Sequence, residues 1–193
     1  MRELDKKLEI YEELTFKWQK KINLISNNTI HDIKNRHIND SLQIADLLPN
    51  NNDIVFDLGS GAGFPALPIA MKNKYLDVYC IEADQKKCSF LKTVSRETDT
   101  NLYVVNSRIE NFQINVIPDF ITARALASLS KLFQYCEKWI VQNANLKLIF
   151  PKGENANLEL EDLKQNWKFD LEKIQSKTNE DAKILIFTNI KKT

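Results

Sequence analysis

The chain reads as an α/β protein: a mostly parallel, seven-stranded sheet with helices on both faces, entered through an N-terminal helical cap. Three observations predict this class. Short apolar runs alternate with helix-period segments from residue 54 onward, the pattern of strands buried on both faces. A cluster of glycines sits at one strand-to-helix turn, where a doubly wound sheet binds its ligand. The first 48 residues instead show two helix-period stretches and no strand.

In order along the chain, Leu4, Leu8, Tyr11, Leu14, Trp18 and Ile22 recur at helical spacing, and turn residues at 26–28 end that helix. A second helix is predicted over 29–48, with Ile30, Ile33, His37 or Ile38, Leu42, Ala45 and Leu48 on one face. Pro49 and the asparagines at 50–52 stop it. Residues 1–49 are thus expected to cap a domain spanning 50–193. In that domain strands are predicted at 54–58, 78–81, 102–105, 120–123 and 146–150. A last strand at 184–190 pairs with a weaker one at 169–174. Helices are predicted after the glycine turn, at 85–96 and at 128–142, and charged helix-like sequence runs over 158–167. Pro65 and Pro68 stand where the first of these helices starts, a position that tolerates proline.

Bulk composition excludes several classes. With 27 Lys plus Arg against 26 Asp plus Glu, the net charge of +1 gives no general attraction for nucleic acid, so any RNA contact needs a local patch. Cys80, Cys88 and Cys136 are odd in number and lack CxxC spacing, which argues against a disulfide framework or a zinc site. No metal is expected. The N-terminus has no apolar leader and no run approaches the ~20 residues that cross a bilayer. These features predict a cytoplasmic protein with no membrane contact, and the lack of a long exposed apolar stripe predicts a monomer.

The chemistry is concentrated at Asp57-Leu58-Gly59-Ser60-Gly61-Ala62-Gly63. The chain has only four glycines, and three of them alternate here. Glycine lets backbone turn sharply and approach a ligand closely. A dinucleotide fingerprint places its third glycine where Phe64 stands. The early third glycine and the preceding Asp57 instead resemble the first motif of class I methyltransferases, which bind S-adenosylmethionine. Glu82 ends the second strand about 20 residues on, where an acid can accept hydrogen bonds from a ribose diol. Ser107-Arg108-Ile109-Glu110 follows the third strand, on the side where that fold meets adenine.

Several tags together resemble one narrow family, the bacterial small-subunit rRNA guanine-N7 methyltransferases once called glucose-inhibited division protein B. They are Trp18 through Leu24, Arg36-His37-Ile38-Asn39-Asp40-Ser41-Leu42, Asp57 through Pro65, Lys86 through Leu91, Ser107 through Glu110, Ala123 through Leu129, and Pro151-Lys152-Gly153. Two departures stand out. Ala66 replaces a usual glycine, and Glu180-Asp181-Ala182-Lys183 lacks an arginine often found there. The resemblance implies methyl transfer from S-adenosylmethionine to N7 of a guanine in 16S rRNA, with the small ribosomal subunit or its RNA as partner. It implies cofactor contacts from Gly59, Gly61, Phe64, Glu82, Ile109, Glu110 and Arg124. Arg124 is also the candidate catalytic residue, since it follows the fourth strand and a guanidinium can bond guanine O6. Lys152 is a candidate phosphate contact, and Lys86 and Lys87 are weaker ones. His37 reads as a structural, hydrogen-bonded histidine rather than a general base, and the three tryptophans read as core anchors. The alternative is a methyltransferase that uses the N-terminal helices as a lid over a small molecule. An NAD oxidoreductase is disfavoured by Phe64. A silent RNA-binding module is disfavoured by the intact loop and Glu82.

Overall fold

A computed structural model describes residues 2–26 and 28–193. Helix α1 (Glu3–Gln19) carries the expected apolar stripe but stops three residues before Ile22. The Gln19 side chain ends it: its amide oxygen accepts from the backbone N–H groups of Leu24 and Ile25, and its amide nitrogen donates to Ile25 O. The expected turn at 26–28 includes Asn27, which lies outside the described residues.

The single helix expected over 29–48 is three pieces. A 3-10 turn (Ile30–Asp32) leads into a π-helical stretch (Lys34–Asn39) and then α2 (Asp40–Asp46). Hydrophobic spacing alone cannot separate these states, because it registers which residues face the core and not the backbone hydrogen-bonding pattern. Side-chain hydrogen bonds cluster at the break. His37 Nε2 is 2.9 Å from Thr29 Oγ1, and Ser41 Oγ donates to His37 O. A π-turn frees backbone carbonyls that an α-helix would use, and such turns concentrate at functional sites.

The remainder follows the predicted alternation: β1 (Ile54–Leu58), α3 (Ala66–Lys72), β2 (Asp77–Glu82), α4 (Gln85–Glu97), β3 (Tyr103–Asn106), β4 (Phe120–Thr122), α5 (Leu129–Gln142), β5 (Lys147–Lys152), α6 (Ala156–Leu163), β6 (Trp167–Gln175) and β7 (Lys183–Lys192). The sheet order is β3-β2-β1-β4-β5-β7-β6. β1, β2, β3, β4 and β5 run parallel, and β7 lies antiparallel between β5 and β6. Thus β6 and β7 form the hairpin expected from the weak 169–174 run. The charged helix expected to reach Trp167 ends at Leu163, and Trp167 instead opens β6.

Two apolar cores cover the faces of the sheet. Tyr11, Ile44, Leu67, Phe90 and Leu91 lie in one, beneath α1, α2, α3 and α4. Phe56, Phe133, Trp139, Phe150 and Phe187 lie in the other, beneath α5 and α6. Trp139 and Trp167 are buried and Trp18 packs edge-on against Phe90, so all three serve as packing anchors. The cysteines are buried free thiols. No described helix is long and apolar enough to span a membrane, and no cluster of three or more potential metal ligands exists among the described residues.

The chain leaves β1 toward β2 and β3, then crosses to the opposite side for β4. The carboxyl ends of β1 and β4 therefore flank the point where strand order reverses, the crevice in which open α/β sheets bind ligands.

Candidate active site

The glycine loop fills that crevice. Gly59, Gly61 and Gly63 all take positive φ, at 64°, 56° and 90°. The loop is pinned by Gly59 N–H to Ile81 O (2.8 Å) and Gly63 N–H to Ser60 O (2.7 Å). Its glycines serve different ends. A Cβ on Gly63 would lie 2.5 Å from Leu67 Cδ1 and 2.8 Å from Leu91 Cδ2, so this glycine lets α3 and α4 pack against the loop. A Cβ on Gly61 would meet nothing nearer than Gly59 O at 3.8 Å. That face is open to a ligand.

Glu82 comes to the loop from the end of β2. It is 8% exposed, and it accepts from Gly61 N–H (2.8 Å) and Asp84 N–H (2.7 Å). Asn106 and Ser107, at the end of β3, bind its backbone carbonyl. The strand-end acid is thereby aimed and held at the loop, with acceptor capacity left for a hydroxyl pair. Ile109 is buried and Glu110 exposed on a short 3-10 turn beyond β3. Open glycine backbone, a buried oriented acceptor acid and an apolar side chain together suit a nucleoside-bearing ligand.

Asp57 heads the loop and is 1% exposed. Its Oδ1 accepts from Thr122 Oγ1 at 2.7 Å, while Oδ2 has no partner. Burial pushes its carboxyl up to about 7 against the pull of the Thr122 hydroxyl, and the nearby Glu82 carboxyl adds to the rise.

Arg124 follows β4. Its Nη2 donates to Arg36 O (2.6 Å) and lies 2.9 Å from His37 Nδ1, its Nε is 3.7 Å from Asp40 Oδ2, and its Nη1 is buried without a partner. Arg36 lies within the π-helical stretch. Since Arg124 is a donor only, His37 Nδ1 accepts and Nε2 carries the proton toward Thr29. Burial first, and then the Arg124 charge, push His37 down to about 4, so it is neutral at physiological pH. It acts as a structural link. Phe64 lies between these groups: its ring centroid is 5.0 Å from those of His37 and Tyr11, and the Arg124 guanidinium is 5.9 Å from it.

Ala125 adopts φ 50°, a strained conformation for a residue with a Cβ. This kink sends Arg124 inward and Leu126 back over the loop, where Leu126 Cδ1 would lie 2.6 Å from a Cβ on Gly59. Beside Arg124 opens a cleft of about 440 Å³. Arg36, Asp40, Lys152, Asn155, Thr178 and Asn179 are among its lining residues. Lys152, a candidate phosphate contact, is turned inward instead: its Nζ donates to Ala127 O (2.8 Å) and pairs with Glu159 (2.7 Å), which also accepts from Leu129 N–H. Lys86 remains exposed, and Asp84 caps its helix by accepting from the N–H groups of Lys86 and Lys87.

Three further contributors complete the site. Tyr11, placed only on a helical stripe, donates its hydroxyl to Ala62 O at 2.6 Å and ties α1 to the loop. Asp40 accepts from Ser176 Oγ and Thr178 Oγ1, which joins the β6–β7 turn to Arg124. Thr122 supports Asp57. Only Asp40 had a signal, since it lies within the Arg36–Leu42 tag.

This geometry can be set beside known proteins. A family model for rRNA small subunit methyltransferase G matches residues 4–185. The chain belongs to this family. Curated proteins named ribosomal RNA small subunit methyltransferase G are 39% identical over 99% of the chain and 96% of the relative in Rickettsia felis, and 40% identical over 92% of each in Dinoroseobacter shibae. More distant solved structures share the fold. Aeropyrum pernix fibrillarin, solved with natively bound S-adenosyl-L-methionine, has a TM-score of 0.61 at 14% identity, with 78% of this chain and 76% of that one covered. Magnesium protoporphyrin IX methyltransferase from Synechocystis has a TM-score of 0.62 at 11% identity, with 97% and 98% covered. The sheet and glycine loop of this family member are thus the class I methyltransferase fold.

Proposed function

We propose that the chain transfers a methyl group from S-adenosylmethionine to N7 of one guanine in 16S rRNA. Family membership carries the rRNA methyltransferase activity, and the open Gly61 face beside the buried, oriented Glu82 supports the cofactor. Gly59 and Gly61 would take the cofactor's tail along the loop, Glu82 its ribose hydroxyls, and Phe64, Ile109 and Glu110 the flanks. The cofactor supplies a methyl on a sulfonium, already a good leaving group.

N7 of neutral guanine has a free lone pair and no proton to lose, so no general base is needed. The neutral, internally bonded His37 accords with this. The protein's part is alignment and exclusion of water. The cleft beside Arg124, lined in part by Arg36 and Asp40, is the space for the base. Arg124 acts as a positioning residue. By gripping Arg36 O, His37 and Asp40, it fixes the cap against the loop and sets one wall of that cleft.

The deciding experiment uses labelled S-adenosylmethionine with naked 16S rRNA, small subunits and mature ribosomes from a strain lacking the enzyme. Label on guanine N7 is expected, and unlabelled RNA in all three would overturn the reading. We also infer a cytoplasmic monomer with the cap at 1–49 and the catalytic domain at 50–193. A light-scattering mass near twice 22.4 kDa would contradict the monomer.

A further inference from the structure

Among the described residues, two buried side-chain atoms have no hydrogen-bond partner: Asp57 Oδ2 and Arg124 Nη1. One is an acceptor on an acid and the other a donor on a cation, and each contributes to the electrostatic setting of the other. Native proteins seldom leave such groups unpaired. Arg124 directs its remaining donors to Arg36, His37 and Asp40 and forms no ion pair with Asp57. An α-amino acid offers the complement of both orphans, an ammonium for the acid and a carboxylate for the guanidinium. S-Adenosylmethionine ends in such a group.

The charge state of Asp57 then matters. A fully buried carboxylate with one hydroxyl donor and one bare oxygen is costly, whereas the neutral acid is not. Its neighbours do little to relieve it. From β2 come Cys80, beside it in register, and the acid Glu82. From β4 come Thr122 and, just beyond, Arg124. From α1 comes Tyr11, and from the loop Ser60. Of these, Tyr11 and Cys80 are pushed up by burial and stay neutral. His37, on the far side of Arg124, is pushed down to about 4 and does not change charge near neutrality.

We propose that Asp57 stands as a neutral carboxylic acid in the free chain and releases its proton to solvent when the ammonium of the cofactor's amino-acid tail settles against it. The inference rests on the cofactor assignment above. The exchange is balanced: carboxylic acid plus ammonium becomes a carboxylate–ammonium pair, and one proton leaves. Cofactor binding is thereby coupled to pH at a residue that the chemical step does not use. With the acid near 7, about 0.9 proton leaves per cofactor bound at pH 6 and about 0.5 at pH 7, both below the range in which an α-ammonium itself titrates, and affinity is about fivefold tighter at the higher pH.

The test is titration calorimetry of the full chain with S-adenosylmethionine at pH 6 and pH 7, each in two buffers of different ionisation enthalpy. The expected result is buffer-dependent heat at pH 6 that falls by about half at pH 7. Asp57→Asn mimics the neutral acid, so it should bind more weakly, with buffer-independent heats and no pH trend. Difference infrared spectra of the wild type supply a check that needs no variant: the protonated carboxyl C=O band should vanish on binding. Cofactor binding without proton release, or release that persists in Asp57→Asn, would overturn the inference and leave the cofactor assignment standing. No binding by the wild type would overturn both.

Discussion

The glycine loop and the Arg124 node are both buried polar clusters at the carboxyl end of the sheet, yet they are assembled in opposite ways. Much of the loop is local: its acid, Glu82, is 21 positions from Gly61 and two from Asp84. The node is long-range: Arg124 reaches Arg36 across 88 positions, and Ser176 reaches Asp40 across 136. Their titrations are opposed as well. Burial raises the Asp57 carboxyl to about 7, whereas burial and Arg124 lower the His37 imidazole to about 4. The loop provides an open backbone face for a ligand, and the node fixes the cap beside it. Such division lets one side stay rigid while the other determines what reaches it.

Substitutions can break or sharpen that contrast. The largest effect is expected for Gly63→Val, which drives side-chain atoms into Leu67 and Leu91 at a positive φ. A loss of about 3–5 kcal/mol in urea unfolding should follow, enough to unfold much of the protein. Next comes Arg124→Ala. It releases Arg36, His37 and Asp40 together, and methyl transfer should fall about 100-fold, or about 2.7 kcal/mol in transition-state terms. Wild-type turnover would remove Arg124 from the mechanism, and a failure of Arg124→Lys to restore it would point to the guanidinium's geometry rather than its charge.

Gly61→Val should separate ligand space from packing. Its Cβ meets open space, so the main stability cost is the left-handed backbone, about 1–2 kcal/mol. Cofactor binding by calorimetry should nevertheless be lost. Unchanged affinity would place the ligand elsewhere.

The smallest effect concerns pH. His37 is depressed in the folded chain relative to 6.5, so its contribution is present above 6.5 and is lost as pH falls toward 4. Asp57 is raised, so stability is fullest below 3.8 and declines as pH climbs toward 7. Between pH 4 and 6.5 the two offset each other. Asp57→Asn should leave the His37 slope exposed, on the order of 1–2 kcal/mol once His37's partial exposure is discounted. A variant whose unfolding free energy stays flat over that range would contradict the assignment of His37 as a neutral link.

Most of the fold was legible before any coordinates. Strand and helix alternation from residue 54 appears as predicted, down to the weak strand that pairs with the last one. The loop and Glu82 were legible for the same reason, since a strand end and the turn after it are local events with local residue signals. The second cap helix was misread, because hydrophobic spacing registers which face is buried and not whether the backbone follows α, 3-10 or π hydrogen bonding. Lys152 shows a different limit. A lysine after a strand looks available for phosphate until Glu159 and the Ala127 carbonyl are seen to claim it.

By itself, then, the amino-acid order determined the sheet, the glycine loop, its acid and the family tags, all of which depend on residues close together in the chain. Tertiary structure alone decided the rest: the π-turn that holds Arg36, the tautomer of His37, the inward grip of Arg124, and the bare oxygen left on Asp57. These depend on which distant groups meet once water is excluded, and on which buried donor or acceptor is left over when they do.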